Sequence, residues 1–322
     1  MRSNQNSMTK AIILLLISLT SFAQTKIEPA KKLFEEKKLN EAKVLLSAIK
    51  NSSTDYAAAQ YYLGRIAFEE QKYDDATDFF EEAVDTNDNV ADYHSWLGNT
   101  YGVMAQDANI IKQSMLAPKM KKEWERAVAL DPKNLEARTS LIQYYLQAPS
   151  FAGGSVDKAK EVANQIIKIK PAEGHRQLGN VLLHEKKTAE AEKEFQEMAK
   201  ADPAYMPALA NFYTSQKKYE QAFSLFEESL KKNADDMIAL YQLGRTSALS
   251  GLKLERGEEC LKRYLLYKPK INEPSHAGAN MRLAQINEKR GNKIEAKKLF
   301  EIALKEDGNL KEAKEGLSRV SK

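Results

Sequence analysis

Small and apolar residues recur along the chain at helical spacing. Leu63-Gly64 is followed by Ala76 twelve residues after the glycine, then by Phe80 and Ala83 at steps of four and three. Steps of three and four residues place side chains on one face of a helix. This stretch therefore predicts two consecutive helices, the first carrying the Leu-Gly pair and the second carrying the Ala-Phe-Ala series.

The same pattern returns at intervals close to 34 residues. Equivalent landmarks are Leu97-Gly98, Leu141-Ile142, Leu178-Gly179, Leu209-Ala210, Leu243-Gly244 and Leu283-Ala284. The twelve-residue step to alanine and the aromatic four residues later recur as Ala191 and Phe195, Ala222 and Phe226, and Ala296 and Phe300. Self-similarity at such a period predicts a repeat architecture, in which each unit packs only against its neighbours.

Each part of the pattern has a physical role in a helix–turn–helix unit. The small residues let two helices approach closely, and the aromatic residue fills the space between one pair and the next. Proline cannot continue a helix, so Pro132, Pro171 and Pro203 mark the ends of second helices. The pattern resembles the tetratricopeptide repeat family over residues 26–322.

That resemblance implies an all-α, right-handed superhelical solenoid of about eight helix–turn–helix repeats with a C-terminal capping helix. We expect the solenoid to occupy residues 24–322 as one domain. Two intervals exceed the usual repeat length. The step from Gly98 to Ile142 carries ten extra residues, around the segment 105–122, and the step from Gly244 to Ala284 carries most of its excess in residues 268–278.

The N-terminal residues 1–23 have the pattern of an export signal. Arg2 and Lys10 precede the apolar stretch 11–19, and Ser21 and Ala23 are small residues at the two positions that a signal peptidase inspects. We expect cleavage before Gln24 and no stable membrane anchor afterwards, because the apolar run is shorter than the ~20 residues of a membrane-spanning helix. Export without an anchor suggests the periplasm of a Gram-negative bacterium, with the extracellular medium as the alternative.

Composition excludes several functional classes. The formal net charge is +4 over 322 residues with both signs interspersed, so no basic field exists to hold nucleic acid. A single cysteine, Cys260, excludes an intramolecular disulfide framework, and its apolar helical surroundings predict a buried thiol.

No motif for catalysis or cofactor binding is present. The sequence lacks GxGxxG, GxxxxGK[ST], HExxH and GxSxG segments, and no ligand-spaced partner accompanies any histidine. The four histidines are His94, His175, His184 and His276. We therefore expect a protein that is not an enzyme, with no cofactor and no metal site, and a packed role for His94.

In the tetratricopeptide repeat family the first helices line a concave groove that grips extended peptides or a partner helix. The residue after each Leu–small landmark should face that groove. These residues are Arg65, Asn99, Gln143, Asn180, Asn211, Arg245 and Gln285. All are amides or arginines: amides suit the backbone of an extended ligand, and arginines suit a carboxylate.

The sequence therefore predicts an exported, non-catalytic scaffold that binds an extended or helical segment of a partner protein. Two alternatives remain open. One is a self-associating assembly factor of the cell envelope, with the 105–122 insert or the convex face as the contact surface. The other is binding of an envelope glycan, which would need clustered exposed aromatic residues, whereas Trp96 and Trp124 lie mostly at packing positions.

Overall fold

The structure is a computed structural model that describes residues 27–322, so the predicted export signal lies outside the described residues. Over that range the chain forms seventeen α-helices, two short 3-10 helices and no β-strand. The α-helices are α1 Ile27–Glu35, α2 Leu39–Ser47, α3 Tyr56–Glu69, α4 Tyr73–Thr86, α5 Ala91–Gln106, α6 Ile110–Leu130, α7 Leu135–Gln147, α8 Val156–Ile169, α9 Pro171–His184, α10 Thr188–Ala201, α11 Met206–Ser215, α12 Tyr219–Lys232, α13 Met237–Ser250, α14 Leu254–Tyr264, α15 His276–Lys289, α16 Lys293–Glu306 and α17 Lys311–Val320. The predicted all-α class is confirmed.

The helices belong to two compact units. The first ends at Asp131 and contains α1–α6, and the second, Pro132–Lys322, contains α7–α17. In both units each odd-numbered helix packs against the even-numbered helix that follows it, the arrangement typical of a helix-pair solenoid. The exact number of repeats stays a prediction.

Close contact between a glycine on one helix and an aromatic ring on the next explains the packing of these pairs. A Cβ atom added to Gly64 would lie 2.7 Å from the ring of Phe80, which is fully buried. The same atom on Gly179 would lie 3.1 Å from the ring of Phe195. At these positions the small residue makes room for an aromatic ring of the paired helix, whereas the sequence predicted that it lets two backbones approach.

The third pair of helices keeps this contact despite its longer sequence. Gly98 packs against Trp124, where an added Cβ would lie 2.7 Å from the indole. Trp124 follows Gly98 by 26 residues, whereas Phe80 follows Gly64 by 16. The ten extra residues lengthen the end of α5 and the start of α6, which are joined by a short turn. Accordingly, α5 has 16 residues and α6 has 21, whereas α3 and α4 have 14 each.

In the pair formed by α13 and α14, the residue that packs on the glycine lies one position later in the sequence than in the pairs α3–α4 and α9–α10. Gly251 and Lys253 both adopt positive φ in the turn, and an added Cβ on Gly244 would meet Leu261, the residue after Cys260. Cys260 is fully buried, as predicted.

First helices of neighbouring pairs also lie side by side. In the first unit α1 contacts α3 and α3 contacts α5, and in the second unit α7 contacts α9, α11 contacts α13, α13 contacts α15, and α15 contacts α17. These contacts bring equivalent positions of neighbouring first helices side by side within each unit, although among the described residues α9 and α11 have no comparable contact. None of the helices in residues 27–322 combines the length and the apolar character that crossing a membrane requires.

Candidate functional site

The seven predicted binding residues occupy one equivalent position on seven first helices. Arg65 on α3 and Asn99 on α5 belong to the first unit. Gln143 on α7, Asn180 on α9, Asn211 on α11, Arg245 on α13 and Gln285 on α15 belong to the second unit. Gln143 and Asn180 are exposed, and the other five are half-buried. Each unit therefore has its own candidate face, formed by its first helices.

Arg65 is held against aromatic rings in the first unit. Its guanidinium lies 3.8 Å from the centroid of the Trp96 ring and 5.2 Å from that of Phe34, and Nη1 donates a hydrogen bond of 2.9 Å to the hydroxyl of Tyr61. Burial raises the pKa of Tyr61, although the neighbouring Arg65 acts in the opposite direction. Contact with the Trp96 ring, the nearby rings of Phe34 and Tyr61 and the Tyr61 hydrogen bond restrict the orientation of the guanidinium.

In two of the predicted asparagines, Asn99 and Asn211, the side-chain oxygen is hydrogen-bonded or buried within the protein. The side-chain carbonyl of Asn99 accepts a hydrogen bond of 2.9 Å from Nε1 of Trp124, the residue that packs on Gly98. The Oδ1 atom of Asn211 is buried and has no hydrogen-bond partner among the described residues. Substitution of Asn99 would therefore disturb the α5–α6 pair as well as the candidate face.

A carboxylate is already bound on the face of the second unit. Glu312 of α17 accepts hydrogen bonds from Nη1 and Nη2 of Arg282 at 2.6 and 3.1 Å, and from Nε2 of Gln285 at 3.2 Å. The Arg282 hydrogen bonds hold the pKa of Glu312 below its ordinary value, with smaller contributions from Gln285 and from the charge of Arg245. Three consecutive first helices, α13, α15 and α17, thus contribute to one electrostatic cluster.

Gln285 and Arg245 are among the residues predicted from the sequence, whereas Arg282 and Glu312 are not. Arg282 precedes Gln285 by three residues, one helical turn, so the same periodicity would have placed it near the face. Arg282 is 7% exposed, so its guanidinium is largely buried. The sequence pattern does not identify Glu312 as a site residue, because the terminal helix has no Leu–small landmark.

A second polar cluster lies at the start of α9. Glu173 accepts hydrogen bonds from Nε and Nη2 of Arg176 at 3.0 and 2.6 Å, and from Nε2 of Gln177 at 2.8 Å. Burial would raise the pKa of Glu173, but these hydrogen bonds outweigh that effect and hold the pKa below its ordinary value. The cluster repeats, within the second unit, the combination of an arginine and an amide around one carboxylate.

His94 has a structural role within the first unit. His94 is 2% exposed and lies between Glu123 and Asp88, as expected for a packed histidine. The part of the chain that the structure describes contains no group of three or more histidine, cysteine or acidic side chains that could hold a metal ion.

Comparison with known proteins identifies repeats in both units. Models of the tetratricopeptide repeat match residues 42–91 and residues 205–233. Among solved structures, a tetratricopeptide repeat protein from Parabacteroides merdae is 15% identical with a TM-score of 0.49, and the match covers 92% of this chain and 98% of that one. MamA is 18% identical, with a TM-score of 0.44 and coverage of 54% and 95%.

A thermophilic tetratricopeptide repeat protein from Thermus thermophilus is 20% identical, with a TM-score of 0.41 and coverage of 59% and 98%. No curated protein sequence matches this chain at a significant level.

Proposed function

We propose, from the premise that this chain is a tetratricopeptide-repeat protein, that it is an exported scaffold that binds a segment of a partner protein. Tetratricopeptide repeats generally mediate protein–protein interaction and generally have no catalytic role. The bound segment is extended or helical, and it lies on the faces formed by the first helices. Its side chains and backbone meet the amide and arginine residues that follow each Leu–small landmark.

The observation that carries this proposal is the binding of Glu312 by Arg282 and Gln285. Here a helix lies on the face and places its carboxylate against an arginine and an amide, which is the chemistry proposed for a partner segment. Arg245 is close enough to lower the pKa of Glu312, yet it forms no ion pair with any residue that the structure describes. Its guanidinium is the donor for an acidic side chain of the partner.

Two exposed amide side chains near the other end of the second unit can also hydrogen-bond a partner segment. Gln143 and Asn180 lie at the equivalent position on α7 and α9, which contact each other, and both side chains are exposed. Each amide offers a donor and an acceptor, so together they can pair with the backbone of an extended chain. Backbone pairing requires no particular sequence, and the arginine supplies the selectivity for acidic residues.

Site-specific photo-crosslinking in cells tests this placement. A photo-crosslinking amino acid is introduced at Gln143 or Asn180 on the first helices, and as a control at Asn164 of α8 or Gln221 of α12, which are exposed on second helices. We expect one partner, identified by mass spectrometry, to be captured from positions 143 and 180. Capture only from positions 164 and 221 would place the binding surface on the second helices and overturn the proposal.

A matched pair of triple variants measures the contribution of the face. Gln143→Ala with Asn180→Ala and Arg245→Ala removes exposed or half-buried groups without touching the Asn99–Trp124 hydrogen bond. The control combines Asn164→Ala, Gln221→Ala and Lys231→Ala. Each lost hydrogen bond contributes about 1 kcal/mol, so the free energy of binding of the captured partner should be less favourable by at least ~2 kcal/mol for the first variant. Equal affinity of the two variants would contradict the proposal.

The proposed export rests on the segment 1–23. Its charged start, apolar stretch and small residues at 21 and 23 have the order of a cleavable signal, and the periplasm is the compartment we propose.

A second candidate function, self-association, is favoured by the insert in the first unit. Ile110, Ile111 and Met115 at the start of α6 are 75%, 69% and 66% exposed, although large apolar side chains are usually covered. Mass measured in solution distinguishes the two functions. A dimer that Ile110→Ser with Met115→Ser converts to a monomer would support self-association through the insert.

A further inference from the structure

The connection between α14 and α15 is longer than its counterparts. It comprises residues 265–275, here called the 265–275 loop, whereas the connections from α12 to α13 and from α16 to α17 contain four residues each. The seven additional residues are not needed to join one helix pair to the next. Their chemistry therefore indicates what the loop does.

Hydrogen bonds fix the shape of the 265–275 loop from within. The carboxylate of Glu273 accepts hydrogen bonds of 2.8 Å from the hydroxyl of Tyr267 and from the backbone N–H of Lys270. The backbone carbonyl of Tyr267 lies 2.7 Å from Nε2 of His276, in the first turn of α15. The loop therefore presents its remaining side chains in a defined arrangement.

Four of the exposed side chains of the loop are apolar or positively charged, and the other two, Asn272 and Ser275, are neutral. Leu266 is 90% exposed and Ile271 is fully exposed, so neither is covered by the protein. Lys268 and Lys270 are also exposed, and neither has a carboxylate within 4 Å among the described residues, although the charge of Lys270 helps to lower the pKa of Glu273. Glu273 is the one acidic residue of the loop, and its hydrogen bonds direct it inward.

We propose that the 265–275 loop docks on an anionic phospholipid bilayer, a binding surface that is separate from the proposed protein-binding faces. Leu266 and Ile271 enter the boundary between headgroups and acyl chains, where apolar side chains are removed from water. Lys268 and Lys270 remain at the headgroup level and are attracted to the anionic phosphates. The result is peripheral, reversible attachment.

The residue composition of the 265–275 loop favours a bilayer over a protein partner. Lysine is depleted from protein–protein interfaces, which are enriched in tyrosine, tryptophan and arginine, whereas a lipid surface attracts exposed lysines. The apolar start of α6 provides a contrast within the same chain. There Lys112 is exposed without an ion pair among the described residues, but the next three lysines, Lys119, Lys121 and Lys122, are each within 4 Å of a glutamate carboxylate. The start of α6 therefore offers one unpaired lysine where the loop offers two.

A fluorescent probe on the loop tests the proposal directly. Ile271→Cys provides an exposed thiol for an environment-sensitive fluorophore, and the native Cys260 is fully buried and does not compete. The full chain is mixed with vesicles of phosphatidylcholine containing phosphatidylglycerol, or of phosphatidylcholine alone. We expect a blue shift of the emission with the anionic vesicles and none with the neutral ones. The same fluorophore on Ile110→Cys is the matched control and should not shift.

Charge reversal at the two lysines completes the test. Lys268→Glu with Lys270→Glu, in the Ile271→Cys background, should weaken vesicle binding about tenfold or more, because each lysine near an anionic surface contributes attraction. Circular dichroism confirms that this exposed loop variant is folded. Absence of a shift at position 271, an equal shift with neutral vesicles, or no effect of charge reversal would overturn the proposal. A shift that grows with protein concentration and needs no vesicles would assign the loop to a second copy of the chain and would also overturn it.

Discussion

Nδ1 of His94 lies 2.6 Å from Oε2 of Glu123, and both side chains are buried between α5 and α6. The other ring nitrogen, Nε2, lies 3.2 Å from the backbone carbonyl of Asp88 in the turn before α5. One imidazole thus connects a turn, a first helix and a second helix. Glu123 precedes Trp124, so the His94–Glu123 hydrogen bond and the Gly98–Trp124 contact together fix the register of the long α6 helix.

Removing His94 should destabilise the first unit strongly. In His94→Ala the carboxylate of Glu123 stays buried without its hydrogen bond and keeps only Lys122, 3.6 Å away, as a charged neighbour, so the change should cost about 3 kcal/mol. His94→Ala with Glu123→Ala should cost less than the sum of the two single changes, because the buried charge is removed together with its partner. Urea unfolding of the three variants measures the coupling. Additive losses would show that the pair contributes nothing of its own.

Two glycines of the first unit should respond in opposite directions to alanine. In Gly64→Ala the new Cβ would lie 2.7 Å from the buried Phe80 ring, so the helices must separate at a cost of about 1–3 kcal/mol. In Gly102→Ala the new Cβ would lie 3.6 Å from Trp124, an ordinary contact, and helix propensity should stabilise α5 by up to ~1 kcal/mol. Thermal unfolding gives both values. A loss of stability in both variants would contradict the close-approach explanation.

The glycine contacts also show how far the sequence predicted this fold. Small residues and aromatics at fixed spacing predicted which helices pair and where they touch, because both depend on local periodicity. The ten-residue insert was recognised from the repeat interval. Trp124, which packs on Gly98, could have been identified by adding these ten residues to the usual spacing of 16 between the glycine and the aromatic residue.

Long side chains limited the prediction of the candidate faces. Arg65 stacks on Trp96, and Arg282 reaches from α15 to Glu312 of α17. Such contacts depend on the tertiary distance between helices and on side-chain rotamers, neither of which follows from position in a repeat. The seven predicted positions therefore remain a prediction about partner binding, and the structure adds that Asn99 also supports the packing of Trp124.

The buried thiol should be unreactive in the folded chain. Burial raises the pKa of Cys260 to about 11, although the charge of Arg256 acts in the opposite direction. The thiolate is the reactive form, so alkylation by iodoacetamide should be very slow until the pH approaches that value. In the unfolded chain the rate should rise near the ordinary thiol pKa of about 8.5. Rapid alkylation of the native protein at neutral pH would show that α14 opens readily.

The proposed export signal predicts where the mature chain begins. Sequencing of the N-terminus should find Gln24, because Ser21 and Ala23 have the small side chains that the peptidase requires. Ala23→Asp should block cleavage and leave the longer precursor, whereas Phe22→Asp changes a position that is not inspected and serves as the control. Cleavage elsewhere, or equal processing of both variants, would contradict the assignment.

The ion pair between Glu312 and Arg282 should make the docking of α17 depend on pH. The Arg282 hydrogen bonds hold the pKa of Glu312 below its ordinary value of 4.5. The carboxylate therefore stabilises the docked helix at all pH values above 4.5, and this contribution is lost as the pH falls through the lowered pKa. Because the Glu312 side chain is 53% exposed, solvent screening limits the contribution to about 1 kcal/mol.

Hydrogen exchange at the amides of α17, corrected for the intrinsic effect of pH, measures this contribution. Protection in the wild type should decrease on acidification, and Glu312→Gln should start with lower protection and lose less of it. Glu301→Gln, an exposed change on α16, is the matched control and should behave like the wild type. If Glu312→Gln shows the same pH dependence as the wild type, another group controls the docking of α17. The hydrogen bonds from Arg282 and Gln285 to the Glu312 carboxylate would then contribute little to the docking of α17. That result would argue against the proposed binding of an acidic partner segment at Arg245.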